Sequence, residues 1–125
     1  MHTLTTEAIA ALLRRRATGS YADEAAIELL IAHGTWLGRR DFLTSCVEYD
    51  HDGHDPVVWV EWHAVPTFLD TAPCSASEAR MLRLAAELSG IDTGWSLADL
   101  LCGLDSRNSV LVVDAVGYTL RVVGR

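Results

Sequence analysis

SASEARMLRLAAELSG, residues 75–90, is the stretch whose reading decides the fold. Ser75 is followed three positions later by Glu78, so hydroxyl and carboxylate can satisfy two orphaned backbone donors reciprocally at a helix start. Met81, Leu84, Ala85 and Leu88 then recur at helical spacing, and Gly90 stops the run. Towards the C-terminus, Ser96-x-x-Asp99 repeats the device ahead of a short helix, SLADLLCGL, whose apolar residues are Leu97, Leu100, Leu101 and Leu104. Asp105 is placed to begin a third helix, SRNSVLVVDAVGY, so residues 75–118 read as a three-helix unit. The β-branched residues of 108–123 also suit a hairpin turning near 115–117. Leu111, Ala115 and Thr119 offer helical spacing, but periodicity alone leaves that segment open.

Upstream, residues 5–18 read as a first helix with Ile9, Leu12 and Leu13 inward. Arg14, Arg15 and Arg16 fall in its last turn, where cations complement the helix dipole, and Gly19 ends it. Ser20-x-x-Asp23 starts a second helix carrying Ala26, Ile27, Leu30 and Ile31, closed by Gly34. Trp36 and Leu37 follow as packing residues. Asp41 is expected to cap a short third helix, although Phe42, Thr44, Val47 and Tyr49 would equally suit a strand. Asp55-Pro56 is a helix-start signal, followed by the stripe Val58, Trp62, Val65 and Leu69. The strand-forming run VVWVEW and Pro66, which removes a backbone donor, oppose that helix.

The 125 residues suit one domain, 1–125, with half of them hydrophobic and 22% charged. No apolar run approaches the roughly 18–20 residues that cross a bilayer, so no membrane role is expected. The N-terminus carries its charges after its apolar stretch, the reverse of a secretory signal, and a cytoplasmic protein is expected. All 10 cationic side chains are arginine, which excludes P-loop, Schiff-base and nucleophilic lysines. The net charge of −7 repels phosphate backbones, more so from residues 1–74, which hold 11 acidic and 5 basic side chains. Cys46, Cys74 and Cys102 are widely spaced, a pattern of reduced thiols, with Cys46 and Cys102 expected in the core.

Four pieces carry a resemblance: AAIELLIAHGTWLGRRDF (25–42), VEWHAV (60–65), SASEARMLRLAAELSG (75–90) and SLADLLCGLDSRNSVLVVDAV (96–116). On these the chain resembles a group of small, uncharacterised helical proteins of actinobacteria. The resemblance implies an all-α domain and favours helix at 105–118 and 56–70. VVWVEW and Pro66 depart from the group's smoother pattern. It brings no activity and no functional residues.

The expected architecture is therefore all-α, a compact orthogonal bundle of six or seven short helices. The alternative is α+β, with antiparallel hairpins at 42–63 and 108–123. No nucleophile elbow, H-E-x-x-H pair, Walker loop or dinucleotide fingerprint is present, and neither an enzyme nor a cofactor is expected. The loop 50–55 holds His51 and His54 among carboxylates, with His63 downstream. It lacks the glycine position and final glutamate of an EF-hand, and turn-forming residues explain it without a metal. His33 and His63 read as packing or capping residues. Four tryptophans are many for this length, and Trp59 and Trp62, with Trp36, are the candidate anchors of a protein interface. The favoured reading is a small interaction or regulatory module that binds a protein partner or a second copy of itself. The runner-up is a helix-turn-helix DNA-binding regulator using residues 96–118, with Ser106, Arg107, Asn108 and Ser109 towards base edges.

Overall fold

In the computed structural model, which describes residues 4–51 and 55–120, helix starts lie where short polar side chains stand ready to accept backbone protons. Thr5 accepts from the Ala8 amide at the head of α1 (Thr6–Ala17), and Ser20 from Asp23 at the head of α2 (Tyr21–His33). Helix α3 (Arg40–Cys46) has no such cap, and Asp41 lies inside it. Its carboxylate accepts from the Phe42 amide at 2.9 Å and pairs with Arg39. The expectation that Asp41 caps the helix is thus corrected by two residues, since Arg39 holds the N-cap position. The reciprocal Ser75–Glu78 box opens α5 (Ala76–Ser89), Ser96 caps α6 (Leu97–Leu101), and Asp105 caps α7 (Ser106–Thr119).

The chain is a mostly helical bundle, with seven α-helices and one two-stranded hairpin among the described residues. Segment 106–119 is helical, as the resemblance implies, so the competing hairpin does not form there. Residues 121–123 of that hairpin lie outside the described residues. Segment 47–60 departs from the helical expectation. Strands β1 (Val47–Asp50) and β2 (Val57–Val60) pair antiparallel, with Val47 opposite Val60 and Tyr49 opposite Val58. The first of the two alternative hairpins is therefore present in shortened form. Val58 and Val60 face the core and Val57 points out, the alternation of a half-buried strand. The run VVWV is β-branched and aromatic, and pairing with β1 outweighs the Asp55-Pro56 start signal. Pro66 sits in the first turn of α4 (Val65–Thr71), where its missing donor has no intrahelical role, so it begins a helix instead of breaking one. Val58, Trp62, Val65 and Leu69 are all buried although they span a strand, a 3-10 turn and a helix.

Helix α2 is the hub, packing on α5 and α7 and also on α1, while β2 packs on α1. Its Ala25, Ala26, Ile27, Leu29 and Leu30 are all buried. Beside it Trp36 is fully enclosed, with ring centroids of Phe42 and Phe68 at 5.9 and 5.7 Å. Its indole donates to the Glu78 carbonyl at 3.1 Å, which ties the residue-36 turn to α5. A tryptophan so enclosed is worth on the order of 3–5 kcal/mol relative to alanine. Cys46 is buried as expected, and burial pushes its thiol up to about 12, an inert state. Cys102 is exposed, which corrects its assignment to the core: α6 is one short helix whose inner face is Leu100 alone.

Candidate interaction surface

The three tryptophan anchors do not form one exposed patch. Trp36 and Trp62 are core residues. Trp59, on the outer side of β2, is half-buried, with the Arg16 guanidinium 5.1 Å from its ring centroid. A surface cleft of about 200 Å³ runs past Leu13, Arg16, Asp23 and Trp59. Trp95 is the most exposed of the four at 42%, and it lies under Arg83 at 4.7 Å. Cation–π pairing of this kind already occupies one face of each outer indole.

The residues of the DNA-reading alternative lie at the start of α7, where two of them are engaged inside the fold. Arg107 donates to the carbonyls of Ala32 and His33 at 3.1 and 3.4 Å, supplying a cation to the C-terminal end of α2. Asn108 is buried and donates to the Ser77 hydroxyl at 3.1 Å. Ser106 is exposed and Ser109 half-buried. Reading a base edge would require Arg107 and Asn108 to leave those partners.

Of the loop histidines, His51 is exposed, its Nδ1 3.1 Å from the Tyr49 hydroxyl, and His54 lies outside the described residues. His63 is exposed. Among the described residues no three His, Cys, Asp or Glu side chains converge as metal ligands. His33 is buried at the end of α2, and its Nδ1 lacks a protein partner. Burial lowers its pKa first; the Arg107 charge lowers it further, while Glu78 and Asp105 partly oppose both.

Helix α7 is held at both ends, antiparallel to α2. Arg107 grips the C-terminal end of α2, and near its N-terminal end the Tyr118 hydroxyl donates to Glu24. The Gly19 amide also donates to Glu24, at 2.9 Å. The Tyr118 bond, followed by that from Gly19, keeps Glu24 below the usual carboxylate range, and the same bond raises the Tyr118 phenol. Between these clamps Asn108, Val112 and Ala115 are buried against the bundle. The opposite face is apolar and open. Val110, Val113 and Leu120 are 59%, 63% and 67% exposed, with Val116 on the flank. At 100° per residue, Ser106, Val110, Val113 and Leu120 fall on one exposed side of the helix, where Gly117 is itself buried. This surface was missed by a reading that looked for one inward stripe, Leu111, Ala115 and Thr119. The available signal was a second apolar stripe on the same helix.

Comparison of the chain with protein-family models, with curated proteins and with solved structures finds no match. Among the described residues no helix is long and apolar enough to cross a membrane.

Proposed function

We propose that the chain is a non-catalytic protein–protein interaction module whose docking element is the outer face of α7. The observation that carries this reading is a clamped helix presenting Val110, Val113 and Leu120 to solvent. A helix anchored at both ends has already lost its freedom, so docking on it costs little further ordering. Exposed apolar side chains arranged in a stripe, unlike scattered ones, mark a surface built to be covered. We infer a cytoplasmic setting, supported by three free cysteines, one of them exposed.

The direct test is a photo-crosslinking residue placed at Val113 in expressing cells, with the same residue at exposed His63 as control. Adducts at position 113 that vanish when Val110→Glu is added are expected. Equal labelling at both positions, or none at 113, removes this reading.

A further inference from the structure

We propose that a second site, the cleft between the start of α1 and one face of α3, binds a medium-chain aliphatic carboxylate. The alkyl chain lies on Leu4, Ile9, Leu37 and Leu43, and the carboxylate meets Arg40. The inference goes beyond the α7 reading and does not depend on it.

The walls follow from local chemistry. Leu4 precedes the cap residue Thr5 and Ile9 is the fourth residue of α1, the spacing of a hydrophobic staple. Across the cleft, Arg40, Leu43 and Thr44 recur at i, i+3 and i+4, so one face of α3 carries all three. Leu37, in the 3-10 turn Trp36–Gly38, is buried and closes the floor. About 490 Å³ lies between these residues, within the range of small-molecule sites. The apolar lining is entirely aliphatic, and no carboxylate borders it. At Gly38, on the open side, an added Cβ meets no atom within 4 Å beyond its chain neighbours.

Arg40 supplies the charge. Every other arginine among the described residues is engaged: Arg14, Arg15 and Arg39 pair with carboxylates, Arg16 lies on Trp59, and the rest donate to backbone carbonyls. Arg40 has no such partner, because Asp41, its neighbour in sequence, gives both carboxylate oxygens to Arg39. In a chain of net charge −7, an arginine left without a carboxylate at the rim of an apolar cleft suits an anion from outside. Its planar fork matches a carboxylate through two parallel bonds. A phosphate dianion would bring a second charge that one arginine leaves unbalanced. The Thr44 hydroxyl, one turn along from Arg40, is exposed on the same rim and can donate a further bond.

Nuclear magnetic resonance of the full chain, titrated with octanoate, tests the proposal. Saturable shifts confined to the surroundings of Leu4, Leu37 and Leu43 are expected, with a dissociation constant of about 1 mM or tighter. Hexanoate should bind about tenfold more weakly, since each buried methylene contributes a factor of about four. Octylammonium, with the same chain and the opposite charge, should give no saturable shifts there. Arg40→Gln should weaken octanoate about tenfold without disturbing the fold, because the side chain is exposed and bonded to nothing. Gly38→Leu, which places a side chain in the cleft, should abolish binding while circular dichroism stays unchanged. If that variant fails to fold, Arg40→Gln decides. Shifts that do not saturate, shifts centred on the α7 valines, or equal binding by octylammonium or by the Arg40→Gln variant would overturn the site.

Discussion

His33 shows how a single side chain reports on the fold around it. Buried at the end of α2, with Arg107 beside it, the imidazole takes up a proton less readily in the folded chain than in the unfolded one. Between the depressed folded value and the ordinary histidine value of about 6.5, the unfolded state therefore binds more protons. Stability rises with pH across that window and is lost as pH falls through it. Urea unfolding followed from pH 7.5 to pH 5 is expected to show a falling midpoint, and His33→Gln should remove part of that slope. A slope unchanged in the variant would assign it to other groups. The sequence already shows this histidine to be a packing residue, from its place at the end of an apolar helical run. Other single-residue readings failed for a common reason. Cys102 stands among leucines but faces solvent, and Trp62 stands beside Trp59 but faces the core. Neighbours in sequence are not neighbours across a packed interface.

At the scale of elements, capping chemistry was the most readable signal because it is local. Thr5, Ser20, Ser75, Ser96 and Asp105 lie within a few residues of the amides they accept from, so no tertiary information is needed to find them. Asp105 decides most, since it opens a helix rich in β-branched residues that intrinsic preference alone does not favour. Asp105→Ala should cost about 1 kcal/mol of stability in urea unfolding, with fraying of the first turn of α7 in amide exchange. An unchanged midpoint would mean that the packing of α7 on α2 suffices without the cap. The two segments rich in valine took opposite forms for reasons outside themselves. Residues 57–60 found a partner strand within hairpin reach, in β1. Residues 106–119 found a cap and the long apolar face of α2.

For the whole molecule, the contacts of α2 with α1, α5 and α7 make one core, with the hairpin held to it through α1. Urea unfolding followed by far-ultraviolet circular dichroism and by tryptophan fluorescence should therefore coincide in one transition, since Trp36 and Trp62 report the same core that the helices need. Separate midpoints would show that the hairpin or α7 opens on its own. The sequence by itself determined where α1, α2, α5, α6 and α7 start and that helix would dominate, because caps, glycine stops and apolar periodicity act over one or two turns. Only the tertiary structure decided that 47–60 pairs as strands, that Trp62 is buried and Cys102 is not, and that α7 turns Val110, Val113 and Val116 outward while Val112 faces the core. Each of those outcomes depends on which face another element covers, and one sequence holds no record of which distant segment arrives there.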